Sequence, residues 1–207
     1  MAKLRLIPTM LLAQRRLVKG RRFSDHEDAG NPVTTAKIYN DQMADEIAVL
    51  DIEATPSGRE PDLAVLQDMT RRCFVPVAFG GGISSVALAK RVLRAGADKV
   101  IINSAALENP GFIGELAVQF GRQAVVIAID FLDLPAGPRV ASACGTHATS
   151  WHPVEWAKEA SRHGAGEILL TSVDREGSRG GLNLSLTKAV SEAVTIPVIA
   201  SRSAICR

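Results

Sequence analysis

Seven short apolar runs, helix-periodic stretches between them and an internal repeat at half the chain's length predict an α/β fold, a TIM-type (βα)8 barrel. The runs are LRLIPT (4–9), EIAVLDI (46–52), VPVAF (75–79), KVIIN (99–103), AVVIAID (124–130), EILLTSV (167–173) and IPVIAS (196–201). Each is rich in β-branched residues, as strands buried on both faces are. Helices are predicted where a turn or cap residue opens a periodic stretch: Asn31-Pro32 before VTTAKIYNDQM, Ser84-Ser85 before VALAKRVLRAG, and Asn109-Pro110 before GFIGELAVQFG. The repeat sets ADEIAVLDIE (44–53) against AGEILLTSVD (165–174) and VPVAFG (75–80) against IPVIAS (196–201), at the same offset. Two half-barrels of common ancestry give this pattern. An open Rossmann sheet does not, and no GxGxxG with a downstream acidic residue follows the first strand.

A chain of 207 residues, 46% hydrophobic, suits one well-cored domain. Its 24 Lys and Arg against 22 Asp and Glu leave a net charge of +2, too weak a field to argue for nucleic acid or a membrane surface. Cys73, Cys144 and Cys206 are far apart and show no metal-ligand spacing, so reduced thiols are expected, with neither a disulfide framework nor a zinc site. No apolar run is long enough for a membrane span, and the start MAKLRLIPTMLL lacks a cleavage site, which together predict a cytoplasmic enzyme. His26, His147, His152 and His163 fall on predicted loops and helix ends, where solvated or capping roles are expected, and no metal or organic cofactor is called for.

The two widest gaps, 10–30 and 131–151, follow the first and fifth predicted strands at their carboxyl ends, the active face of a barrel. The first gap holds Lys19, Gly20 and RRFSDHED, read either as a lid over an anionic substrate or as a solvated loop. Gly80-Gly81-Gly82 follows the third strand, so its amides can cradle a phosphate or simply make a tight turn. Asn103 and Ser104 end the next strand and converge on the same phosphate. By the repeat, a second phosphate site is expected near Asp174, Gly177 and Ser201, and Thr171, on the same strand face as Glu167, is a further candidate for substrate or phosphate binding. Asp130 closes AVVIAID as a proton-exchanging carboxyl or, alternatively, as a loop cap. Arg5, Glu46, Lys99 and Glu167 begin four strands. If they point inward they ring the barrel floor, and from the residues alone a solvated rim is the simpler account.

The segments GGGISS (80–85), ADKVIINSAALENP (97–110), FGRQAVVIAID (120–130) and GAGEILLTSVDREGSRGG (164–181) resemble the cyclase subunit (HisF) family of imidazole glycerol phosphate synthase. The likeness covers about residues 4–201, and Asn103 with SVDREG fits this family better than its sister, the phosphoribosyl-imidazole isomerase (HisA). The resemblance implies that ammonia from a glutaminase partner (HisH) attacks a bisphosphorylated ribulosyl aminoimidazole carboxamide ribotide. The products are then imidazole glycerol phosphate and an aminoimidazole carboxamide ribotide, in histidine biosynthesis. It also implies that Arg5, Glu46, Lys99 and Glu167 form an ammonia gate, that Asp98 faces the glutaminase at the amino-terminal face of the barrel, and that Lys19 belongs to a substrate-closing loop.

Two departures from the family pattern stand out. The family's second acid/base aspartate is Asp130 here, whereas the position of the first, in IPTMLL, is Leu11. Paralogues from surface-polysaccharide clusters resemble IPTMLL and GREPD at these places, so the alternative is a HisF-like protein that docks a glutaminase and channels ammonia to a separate amidating enzyme. The family also continues past the seventh strand with a glycine pair, an eighth strand and a helix. Here Ser201 is followed by Arg202-Ser203-Ala204-Ile205-Cys206-Arg207, which predicts one barrel domain over 1–207 without strand 8 and helix 8.

Overall fold

The computed structural model describes residues 4–178 and 180–201. Cys206 and the stretch 202–207 lie outside the described residues. In chain order the strands are β1 (Thr9–Ala13), β2 (Arg16–Arg21), β3 (Ser24–Gly30), β4 (Ile47–Asp51), β5 (Val77–Gly80), β6 (Lys99–Ile102), β7 (Val125–Leu134), β8 (Gly137–Ser142), β9 (His147–Ala148), β10 (Glu167–Ser172) and β11 (Val198–Ser201). The α-helices are α1 (Pro32–Asp41), α2 (Leu63–Thr70), α3 (Val86–Arg94), α4 (Ser104–Glu108), α5 (Gly111–Phe120), α6 (Pro153–His163) and α7 (Leu184–Ala193). The chain divides into two compact units: residues up to Val18 with Glu27–Ile101, and Lys19–His26 with everything from Ile102 onward.

In the first unit β1, β4, β5 and β6 pair parallel in chain order, with Leu11 opposite Leu50, Val49 opposite Phe79 and Phe79 opposite Val100. In the second, β7, β10 and β11 do the same, with Thr171 opposite Asp130 on one side and Ser201 on the other. Order that follows the chain is the barrel pattern, because a doubly wound sheet reverses direction at a switch point. The fold is α/β of the TIM-barrel type.

Helix starts follow the expected chemistry. Asn31 accepts from Thr34 N–H, Asp62 from Ala64 and Val65, Ser85 from Leu88, and Asn183 from Leu186, each satisfying donors that a helix leaves open. Pro32 and Pro153 occupy first-turn positions, where no N–H is needed. The helices then bury one face each. Leu66, Met69 and Val92 close the core of the first unit, and Ile113, Leu116, Trp156 and Val190 that of the second.

The paired segment of the first predicted strand lies further along than LRLIPT. Pro8 has no N–H for a ladder, Leu4 and Leu6 are 93% and 75% exposed, and the strand that buries Met10 and Leu12 is Thr9–Ala13. Arg5 therefore precedes β1 and does not begin it. Both wide gaps are also structured. After β1 the chain turns through Gln14 and Arg15, both at positive φ, into β2 and β3, a two-residue connection of the I′ kind usually made with Asn or Gly. After Asp130, β7 runs on to Leu134 and returns antiparallel as β8, with Asp130 opposite Ala141. Asp130 therefore lies within a strand, not at its end, and the loop-cap reading falls. Neither hairpin shows the apolar alternation that marks a half-buried strand: every residue of SDHEDAG in β3 but its last is exposed.

Candidate functional site

In the first unit, the charges at the strand starts meet. Glu46 is 3% exposed, and its Oε2 accepts from Lys99 Nζ at 2.7 Å and from Arg5 Nη1 at 3.1 Å. Buried carboxylates persist only when paired in this way. The three groups thus make a compact ion cluster beneath the parallel strands. Asp98, the residue before β6, is exposed and ties β5 to its own backbone, with Val77 N–H donating to its Oδ2 at 2.8 Å and its own N–H to the Val77 carbonyl. Glu167 opens β10 in the second unit and is buried there.

At the carboxyl ends of the first unit's strands lie Gly81 and Gly82, at φ of 102° and 68°. A Cβ on Gly81 would stand 2.1 Å from the Asp51 carbonyl and one on Gly82 2.7 Å from Ala54, so only glycine fits. Gly82 N–H is bound to Thr55 Oγ1 at 3.1 Å, and α3 begins only at Val86 behind the Ser85 cap. Asp51, which sequence reasoning passed over, is buried and bidentate with Arg59, both oxygens lying 2.8 Å from guanidinium nitrogens. It also accepts from Asp62 N–H at 3.2 Å. This pair lines a cleft of about 360 Å³ together with Leu12, Gln14, Arg15 and Asp62.

The second unit gathers most of the predicted chemistry. Asp130 retains some solvent access, but protein atoms pack round its carboxyl. Burial raises its pKa from 3.8 to about 7; hydrogen bonds from Asn103 and Thr171 pull the other way, and the nearby Glu176 charge adds to the rise. Asn103 Nδ2 donates to Asp130 Oδ2 at 2.8 Å. Glu176, another residue the sequence reading missed, is buried one turn past β10, its N–H held by the Ser172 carbonyl. A carboxyl that titrates near neutrality beside a fixed amide can give or take a proton at physiological pH.

The other predicted residues are placed as follows. Ser104 Oγ accepts from Ala143 N–H at 3.0 Å, and Asp174 Oδ2 accepts from Asp133 N–H at 2.7 Å. Gly177, at φ of 63°, lies against the tip of the β2–β3 hairpin, where a Cβ would stand 2.4 Å from the Gly20 carbonyl, and Arg22 N–H reaches the Glu176 carbonyl at 3.0 Å. Lys19 is exposed on β2. Ser201 ends β11 beside Thr171. His152 caps α6 through Val154 N–H, and His163 pairs with Glu159 at 3.1 Å. Among the described residues no helix is long and apolar enough to cross a membrane, and no cluster of His, Cys, Asp and Glu has the makings of a metal site.

Comparison with known proteins adds a family model and close relatives. The model described as "Histidine biosynthesis protein" matches residues 5–202. The chain is 46% identical to the imidazole glycerol phosphate synthase subunit HisF of Lysinibacillus sphaericus, over 97% of this chain and 80% of that one. It is 47% identical to the subunit of the same name from Anoxybacillus flavithermus, over 98% and 81%, and 47% identical to that of Geobacillus thermodenitrificans, over 97% and 80%.

Proposed function

Because the chain belongs to the histidine biosynthesis protein family, at 46–47% identity to HisF subunits over nearly its whole length, we propose that it is a HisF-type cyclase subunit of imidazole glycerol phosphate synthase. Its reaction joins ammonia to a bisphosphorylated ribulosyl aminoimidazole carboxamide ribotide and releases imidazole glycerol phosphate and an aminoimidazole carboxamide ribotide. The observation that carries the chemistry is Asp130, a carboxyl titrating at about 7 and gripped by Asn103 and Thr171. Leu11 offers no proton, so Asp130 serves as both acid and base, changing protonation state once in each half of the cycle. Gly81 and Gly82 in the first unit, and Ser104, Thr171, Asp174, Gly177 and Ser201 with Lys19 in the second, are assigned to the phosphorylated ends of the substrate.

A glutaminase subunit is the proposed source of ammonia, docked on the amino-terminal ends of the strands. The first unit supports this face. Leu4 and Leu6 precede β1, Met43 follows α1, and Phe74 lies just ahead of β5; Met43 and Phe74 are each 86% exposed. Phe74 N–H and Met43 N–H both bind Asn40, which brings these two side chains' backbones together. Large apolar side chains left in water at one end of a parallel sheet are the mark of a protein interface. The Arg5–Glu46–Lys99 cluster lies at the same strand ends and is assigned to the ammonia gate, and Glu167, which opens β10 in the second unit, is assigned the same role. A cytoplasmic location is part of the same proposal.

The test is direct. Purified chain given the ribulosyl substrate and ammonium chloride at alkaline pH should form imidazole glycerol phosphate, and Asp130→Asn should reduce that turnover about 100-fold or more. Absence of product from the wild type would overturn the cyclase reading.

A further inference from the structure

Both amide hydrogens of Asn103 are engaged. Nδ2 donates to Asp130 Oδ2 at 2.8 Å and to the Ala141 carbonyl at 3.3 Å. A carboxamide carries two donor hydrogens and one acceptor oxygen. Two acceptors on the same end of the group fix its orientation, since a flipped amide would set oxygen against a carbonyl. Oδ1 therefore turns away from Asp130, and it is buried with no hydrogen-bond partner among the described residues. Buried acceptors left in this state are rare, and in an active site they point to a ligand. With its donors committed, Asn103 has none to offer a phosphate, which was the role expected from its place after the KVII strand.

We propose that Asn103 Oδ1 receives a hydrogen-bond donor of the ligand that reacts at Asp130: an N–H of the incoming ammonia or a hydroxyl of the ribulosyl chain. This inference rests on the cyclase reading. A donor seated on Oδ1 is one carboxamide away from the Asp130 carboxyl, so one side chain holds the acid/base group through nitrogen and the reactant through oxygen. The orienting contact is built into the fold: Ala141, which fixes the amide, faces Asp130 across the β7–β8 ladder.

Two variants separate the two ends of the amide. Asn103→Leu keeps the volume and removes both donor and acceptor, while Asn103→Asp keeps an oxygen at the Oδ1 position and removes the donor to Asp130. Steady-state kinetics with ammonium chloride and the ribulosyl substrate give both KM values. Asn103→Leu should raise one of them about tenfold or more, whereas Asn103→Asp should hold it within about threefold of wild type. In Asn103→Asp the pH profile of kcat should instead move upward, because Asp130 loses a donor and gains a neighbouring charge. A rise in KM for ammonia identifies the N–H source, and a rise in KM for the ribulosyl substrate the hydroxyl source. Unchanged KM values in Asn103→Leu, or equal rises in both variants, would overturn the inference. Circular dichroism checks folding, and Asn103→Ala is read in place of Asn103→Leu if leucine is not tolerated. Should the wild type give no product, the cyclase reading fails by itself. The Asn103 13Cγ resonance, titrated with ammonium chloride and the ribulosyl substrate together, then decides this inference: a saturable shift sustains it and a flat response refutes it.

Discussion

The ammonium of Lys99 lies 2.7 Å from Glu46 Oε2, joining the start of β6 to the residue before β4 across two strand positions of the sheet. Arg5 reaches the same oxygen at 3.1 Å. Because Glu46 is 3% exposed and Lys99 15%, this is an ion pair largely out of water, and its members depend on each other.

Neutralising Glu46 should therefore be expensive. Glu46→Gln leaves Lys99 facing an amide in a mostly buried place, and the unfolding free energy in urea should fall by about 3 kcal/mol. Arg5, a third exposed, contributes little of this, so Arg5→Met should cost less than about 1 kcal/mol. A loss under about 1 kcal/mol for Glu46→Gln would mean that the cluster is a solvated rim after all.

The Asp51–Arg59 pair makes a sharper case, since Asp51 is the buried partner and Arg59 the half-exposed one. Removing Arg59 strands a carboxylate with only N–H donors, those of Asp62 and Glu53, to hold it. Arg59→Leu should destabilise by about 3 kcal/mol, and Asp51→Asn combined with it should recover part of the loss. Denaturation of the two single variants and the double one gives the coupling energy. A value near zero would show that the guanidinium is not what keeps Asp51 buried.

These two clusters were legible to different degrees, for a physical reason. Glu46, Lys99 and Asp130 stand out because each interrupts or bounds an apolar run, and a charge in a strand buried on both faces has to be compensated. Arg59, in a polar loop, gives no such signal, and only the folded chain shows its reach back to Asp51. Glu176 is hidden in the same way inside SVDREG. The order of the parallel strands followed from alternation and repeat, but the β2–β3 hairpin did not. Its exposed residues carry no period, and its turn at Arg22 and Phe23 uses left-handed conformations that these residue types do not advertise. Asn103 was readable as a site residue, yet its partners were not, because they lie 27 and 38 residues away along the chain.

The contact between Gly177 and the hairpin tip predicts a local, not global, effect of mutation. Gly177 sits at φ of 63° with the Gly20 carbonyl where a Cβ would go, and Arg22 is tied to Glu176 by a backbone hydrogen bond. Gly177→Ala should push the tip away and open Arg21 and Arg22 to trypsin. Cleavage at these sites should accelerate about tenfold, with little change in the urea midpoint, because local opening is far cheaper than global unfolding. Equal cleavage rates in variant and wild type would show that the tip is not held by this contact.

Asp130 ties stability to pH in a direction opposite to that of an ordinary paired carboxylate. An aspartate carboxyl ordinarily titrates at 3.8 and that of Asp130 at about 7 in the folded chain, so between these limits the native state binds the extra proton. Stability from this group is then fully present below about pH 4, is lost as pH rises towards 7, and stays lost above it. The loss amounts to roughly 2–4 kcal/mol. Asp130→Asn, which cannot ionise, escapes this penalty. It should be more stable than wild type at pH 8 by that amount and nearly equal to it at pH 4, as read from urea midpoints of both proteins at each pH. The same substitution removes the proton-transfer group, so the variant that gains stability at alkaline pH should be the one that loses turnover, the trade expected where a carboxyl is kept desolvated for catalysis. If the two midpoints instead run parallel from pH 4 to 8, Asp130 titrates in the ordinary carboxylate range and cannot be the group that exchanges protons with substrate at neutral pH.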